Sequence, residues 1–186
     1  MLIILSGPSG VGKGTVREEL FKDDSLNLAY SISMTTRKPR PNERDGIDYF
    51  FVEEEEFKSK IEEGKLLEWA QFVGNYYGTP KDYVDQLLNE GKNVVLEIEV
   101  QGALQVMEKC LDATTIFLVP PSLEELERRI RGRRTEEEEI VQQRLSKARK
   151  EIATKDEYKY VVENDDVMAA KDKIAEIIKN HQTNQG

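Results

Sequence analysis

The sequence predicts an α/β fold in three layers, a parallel sheet core covered by helices on both faces. Three observations carry this expectation. Short, continuous apolar runs at 2–5, 93–99 and 114–119 have the length and content of strands buried on both sides. Helical patterns stand between them, so strand and helix alternate along the chain. The first apolar run feeds directly into a glycine-rich turn and a helix, the order in which α/β folds bind phosphate groups.

The chain has 186 residues, enough for one domain with a proper core. Charged residues make up 34% and hydrophobic ones 38%, and no run approaches the ~18 apolar residues of a membrane span. The N-terminal apolar run has no basic leader and breaks at Ser6-Gly7, so it reads as a strand and not as a secretory signal. Cys110 is the only cysteine, which forbids an intrachain disulfide and fits a reducing, cytoplasmic setting. With His181 as the only histidine, a His/Cys metal site cannot be built. A net charge of -9 argues against a nucleic-acid partner, which needs a broad basic surface, and leaves room for a small phosphorylated ligand held by a local basic cluster.

Taken in order, strand 2–5 is followed by a helix over 12–22. Strands at 29–33 and 48–52 flank a polar loop at 36–48 rich in Pro, Arg and Asp. A helix over 53–64 is ended by Gly64. Thr79 reads as a helix cap with Pro80 at the first helical position, opening a helix to Asn89 that Gly91 ends. The run 93–99 is a buried strand carrying Glu97 and Glu99 on one face. Strand 114–119 stops at Pro120-Pro121, and Ser122 with Glu125 forms a capping box, as does Thr135 with Glu138. A strand at 158–163 and a helix over 169–180, with Ala169, Ile174, Ala175, Ile177 and Ile178 on its apolar face, complete the chain.

The segment Gly7, Pro8, Ser9, Gly10, Val11, Gly12, Lys13, Gly14, Thr15 is the strongest local signal. Its glycines let the backbone curl so that N–H groups point at phosphate oxygens, and Lys13 reaches the outer phosphates. Gly14 stands where the usual pattern has a hydroxyl, and Thr15 comes one residue later. Magnesium is therefore expected to be held mainly by ATP phosphates and waters, with Thr15 and Glu97 as the candidate protein contributions.

Arg37, Arg40 and Arg44 crowd one loop, and arginine forks match the bidentate geometry of phosphate. A solvated charged loop is the plain alternative for any single one. Trp69 reads as an ordinary core aromatic. The seven-residue segment 128–134 holds five arginines, and the acidic run after it argues against a nucleic-acid patch.

Over 3–179 the chain resembles the guanylate kinases. The resemblance rests on Gly-Pro-Ser-Gly-Val-Gly-Lys at 7–13, Ser-Met-Thr-Thr-Arg-Lys-Pro-Arg at 33–40 and Asp-Gly-Ile-Asp-Tyr-Phe at 45–50. It continues with Glu-Trp-Ala-Gln-Phe at 68–72, Gly-Asn-Tyr-Tyr-Gly-Thr at 74–79, Val-Gln-Gly-Ala at 100–103 and Asn-Asp-Asp at 164–166. It implies a P-loop NTPase fold and reversible transfer of the ATP γ-phosphate to GMP, giving ADP and GDP in purine metabolism.

The same resemblance assigns residues. ATP would lie on residues 7–15 and Asn164. Arg37, Arg40, Tyr49 and Tyr77 would hold the GMP phosphate, Ser33, Glu68, Thr79 and Glu99 would read guanine, and Glu43 would belong to the same GMP-binding set. The family carries aspartate where this chain has Glu99. Lys13, Arg37, Arg129, Arg133 and Arg144 would serve catalysis, whereas Arg131 and Arg134 look like surface residues. It further implies a core of 1–32, 81–122 and 150–186, a GMP-binding arm at 33–80 and a lid at 123–149. Expected partners are ATP and GMP or dGMP, with no membrane or nucleic acid, in a monomer or homodimer. Two other readings are a kinase for a different nucleoside monophosphate, which Glu68 opposes, and a catalytically silent peptide-binding module, which Lys13 and the lid arginines oppose.

Overall fold

The computed structural model describes residues 1–132 and 137–183. A five-stranded, all-parallel sheet forms the core, built from β1 (Leu2–Ser6), β2 (Leu28–Tyr30), β7 (Asn93–Glu97), β8 (Thr114–Val119) and β9 (Tyr160–Glu163) in the order β2-β7-β1-β8-β9. The central strands alternate between two cores, as the two-residue pleat requires. Ile3, Leu5, Val95, Ile116 and Leu118 face α1 (Lys13–Leu20) and α7 (Val167–Thr183). Ile4, Val94, Leu96 and Phe117 face α3 (Lys81–Asn89) and α4 (Val100–Lys109). Both faces are thus covered, and the three-layer expectation holds.

A second, four-stranded sheet has the order β4-β3-β6-β5, from β3 (Met34–Thr35), β4 (Phe50–Phe51), β5 (Leu66–Phe72) and β6 (Asn75–Pro80). It packs on α2 (Glu54–Glu62) through Met34, Phe57 and Leu66. The expected strand 29–33 is shorter: β2 ends at Tyr30, residues 31–33 belong to no strand, and the chain enters a different sheet at Met34. The β5–β6 hairpin and α4 had no counterpart in the sequence reading. Trp69 lies on that hairpin, 37% exposed with its ring 5.9 Å from Tyr76, and so is not a core aromatic. α4 also packs against β5, with Gln105 bonded to the Trp69 backbone, and a cavity remains between this sheet and α4.

Three local expectations also change. Pro80, not Thr79, is the cap residue of α3, and no side chain caps it, because β6 runs on to Pro80. Glu97 and Glu99 do not share a strand face: β7 stops at Glu97, and Glu99 is the cap residue of α4. In α7 it is Ala170, with Ile174, Ala175 and Ile178, that is buried, while Ala169 is exposed. Ser122 does cap α5 (Leu123–Arg131), accepting from Glu125 N–H at 3.0 Å. The Thr135 cap lies outside the described residues. α5 and α6 (Glu138–Ile152) share a small core of their own through Leu126, Ile130, Val141, Leu145 and Ala148. Among the described residues, no helix is long and apolar enough to cross a membrane.

Candidate active site

The C-terminal ends of the core strands point to one edge, where parallel α/β sheets place ligands. Two cavities meet there. One, of about 420 Å³, is formed by the glycine loop between β1 and α1. The other, of about 360 Å³, lies between the second sheet and α4. Glu97, Ile98 and Glu99 line both.

The loop is shaped by close backbone approaches. A Cβ at Gly7 would sit 2.5 Å from the Leu118 carbonyl oxygen, and Gly12 is left-handed (φ 98°) with a Cβ position 2.7 Å from Asn164 Nδ2. Only glycine fits both needs at Gly12. Asn164 is buried beneath the loop and donates to the Val11 carbonyl at 2.8 Å. Gly10, Pro8 and Val11 complete the curl, with Val11 buried in the core. Lys13 folds back on the loop, donating to the carbonyls of Gly7 (2.6 Å) and Pro8 (3.3 Å). Burial pushes its ammonium below the usual lysine range, while Glu97, Glu151 and Glu99 pull it back up. Thr15 is exposed at the mouth of this cavity.

Arginines approach from α5 and α6. Arg144 donates to Ser9 Oγ at 3.1 Å. Arg129 donates to the Asn164 carbonyl at 2.9 Å and the Val11 carbonyl at 3.3 Å, and Glu125 holds its Nε at 2.8 Å. Arg133 and Arg134 lie outside the described residues. Arg131 is exposed and paired with Glu127 and Glu138.

In the second cavity Glu68 is buried, and Thr79 donates to its Oε1 at 2.6 Å. The antiparallel register of β5 and β6 sets that pair opposite one another. Burial raises the Glu68 pKa, against the Thr79 hydrogen bond and the Lys109 charge. Ser33, Tyr49 and Tyr77 line the same cavity, with the two tyrosine rings edge to face at 6.2 Å.

Arg37 forks onto Glu43 with two 2.9 Å bonds and lies 5.4 Å from the Tyr49 ring centre. Its pKa is raised, chiefly by the Glu43 hydrogen bonds, and that of Glu43 is lowered, chiefly by Arg37. Arg40 is exposed, and its backbone N–H donates to Glu43 at 2.8 Å. Glu43 therefore fixes the Arg37 guanidinium and the Arg40 backbone. Glu99 is exposed and paired with Lys147 of α6 at 2.9 Å.

The carboxylates and hydroxyls fit magnesium chemistry. No group of three or more His, Cys, Asp or Glu is placed to cage a metal among the described residues. Magnesium needs no such cage, since it keeps several waters and takes only one or two carboxylates beside the substrate phosphates. Glu97 has one oxygen 3.1 Å from Arg17 without hydrogen-bond geometry, and that oxygen is buried without a hydrogen-bond partner.

Sequence reasoning passed over Phe72, Ile98, Gln101 and Gly102 in the acceptor cavity and Glu151 in the loop cavity. The spacing of Arg144, Lys147 and Glu151 on one face of α6 was a signal for the last.

A glycine loop carrying a lysine, and a second polar cavity opening into it at the end of one parallel sheet, define a phosphate-loop phosphotransferase with two adjoining substrate sites. A family model described as guanylate kinase matches residues 1–181. The chain belongs to the guanylate kinase family. It is 60% identical to a Bacillus cereus guanylate kinase over 96% of this chain and 87% of that one. A Streptococcus agalactiae guanylate kinase is 54% identical over 96% and 86%. Among solved structures, the guanylate kinase of Anaplasma phagocytophilum superposes with a TM-score of 0.76 at 34% identity, covering 98% of this chain and 86% of that one.

Proposed function

We propose that this chain transfers the γ-phosphate of ATP reversibly to GMP, giving ADP and GDP. The observation that carries this reading is the junction of the two cavities at Glu97, Ile98 and Glu99. A donor phosphate on the loop and an acceptor phosphate beside Arg37 would meet there.

In this reading residues 7–15, with Asn164 beneath them, cradle the ATP phosphates, and Lys13 leaves the Gly7 and Pro8 carbonyls for phosphate oxygens. Arg37, Arg40, Tyr49 and Tyr77 hold the GMP phosphate, with Glu43 ordering the Arg37 guanidinium. Glu68 accepts from the N1 and N2 hydrogens of guanine. Adenine has no hydrogen at N1 and would leave the buried carboxylate unpaired. Ser33 and Thr79 supply hydroxyls, and Glu99 must exchange Lys147 for the base. Residues 33–80 form the GMP arm and 123–149 the lid, on a core of 1–32, 81–122 and 150–186.

The nucleophile is an oxygen of the GMP phosphate, already largely dianionic at pH 7 because its second pKa is near ~6. No general base is required. The obstacle is bringing two polyanions together, so the protein contributes positioning and positive charge from Lys13, Arg37, Arg129, Arg133 and Arg144. Glu97 and Thr15 would help hold magnesium, which supplies charge neutralisation between the phosphates. Lid and arm exclude water, which would otherwise take the phosphate.

A coupled assay of ADP formation with ATP and magnesium, run in parallel on GMP, AMP, UMP, CMP and dTMP, tests the reading. Turnover confined to GMP is expected. Preference for another acceptor would overturn the assignment of Glu68.

A further inference from the structure

We propose that Gly102 is a positioning residue for base specificity: its missing side chain leaves the space in which the Glu68 carboxylate lies. Gly102 is buried in the first turn of α4, where that helix closes the acceptor cavity against β5. A Cβ at this position would lie 2.7 Å from Glu68 Oε2, 3.1 Å from its Cδ and 3.3 Å from its Cγ. The end of Glu68 is thus moulded onto bare helix backbone.

The glycine is not there for its backbone. Gly102 is helical and is not among the glycines with positive φ. Alanine is a much better helix former than glycine, so the helix alone would favour alanine. A residue that breaks the local rule is expected where function compensates, and here the compensation is room for a carboxylate. Glu68 is then bonded at Oε1 by the Thr79 hydroxyl at 2.6 Å, while Oε2 occupies the space that a Cβ at Gly102 would take. That leaves one orientation in which to meet two N–H donors.

Adding a methyl group at Gly102 displaces the end of a side chain and not a piece of backbone. The chain stays folded, and the carboxylate turns away from both Thr79 and the base. The inference rests on Glu68 as the reader of guanine.

The test compares wild type, Gly102→Ala, Glu68→Asp, the double variant and Glu68→Gln in steady-state assays with GMP and with IMP, which lacks the 2-amino donor. Gly102→Ala is expected to raise the KM for GMP roughly tenfold, as loss of a hydrogen bond to a charged group does. It should change kcat less, shrink the preference for GMP over IMP, and leave the KM for ATP and the melting temperature no worse. In the Glu68→Asp background, where the carboxylate is one methylene shorter, the same alanine should add nothing further.

An unchanged KM for GMP in Gly102→Ala, or an equal penalty in both backgrounds, overturns the proposal. Glu68→Gln separates the two layers. If it keeps the GMP preference, the base-reading role fails and Gly102 falls with it. If it loses the preference while Gly102→Ala keeps it, the Gly102 inference alone fails.

Discussion

The phosphate loop and the acceptor cavity adjoin, yet they are built by opposite means. The loop is backbone: its shape comes from Gly7 against the Leu118 carbonyl and from left-handed Gly12 above Asn164. Its cation is satisfied within the loop itself, on the Gly7 and Pro8 carbonyls. The acceptor side is made of side chains that hold one another, Thr79 on Glu68 and Lys147 on Glu99 at the cavity and Arg37 on Glu43 beyond its lining. A backbone cradle recognises phosphate whatever base it carries. A set of mutually bonded side chains can tell one base from another, and its parts can be altered one at a time. Donor binding should therefore respond chiefly to the loop, and acceptor choice to Glu68 and the residues packed around it.

The severest loss is expected from Lys13→Ala. Its turnover should fall by roughly 10²–10³-fold or more, as when a preorganised charge donor is removed from a transition state. Circular dichroism and melting should report an intact fold, and near-normal turnover would contradict the division.

Glu68→Gln comes next, with kcat/KM for GMP expected to fall roughly 10–100-fold while the KM for ATP holds. The same variant carries a stability signature. Burial raises the folded-state pKa of Glu68 above its unfolded value. Its favourable contribution is therefore complete only below the ordinary carboxylate range and is lost as pH rises through the folded value. Near neutral pH the wild type bears the cost of a buried charge, and Glu68→Gln should melt no lower than it. A lower melting temperature at pH 7 would show that the carboxylate is a structural element and not a functional one.

Glu43→Gln should act more gently. Arg37 keeps its charge but loses its fork, so the KM for GMP should rise roughly several-fold, within the range of a partly buried ion pair. The smallest effect concerns pH. Because burial lowers the Lys13 pKa, the alkaline limb of kcat/KM for ATP in the free enzyme should begin below the ordinary lysine range. A limb at the usual value would show that Lys13 is more solvated than the loop geometry implies.

The same contrast decided what could be read from the chain. The loop was legible because glycine spacing is local and its neighbours, β1 and α1, follow at once. β1, β7 and β8 were legible as continuous apolar runs. The second sheet was not. β5 mixes Leu66 and Leu67 with Glu68 and Gln71, and its hairpin turns through Val73, a β-branched residue at φ 47° that no turn rule anticipates. Thr79 has the chemistry of a cap, and only the β5–β6 register turns it toward Glu68. Glu97 and Glu99 looked like strand neighbours until β7 ended between them. Gly102 lay within the quoted Val-Gln-Gly-Ala segment, but its role depends on a residue 34 positions earlier that only tertiary packing brings near.

One titration would decide the division between loop and arm: calorimetric binding of GMP, without ATP, to wild type, Lys13→Ala and Glu68→Gln. The expected result is near-unchanged affinity in Lys13→Ala and a loss of roughly tenfold or more in Glu68→Gln. Equal losses in both variants, or a loss confined to Lys13→Ala, would contradict it.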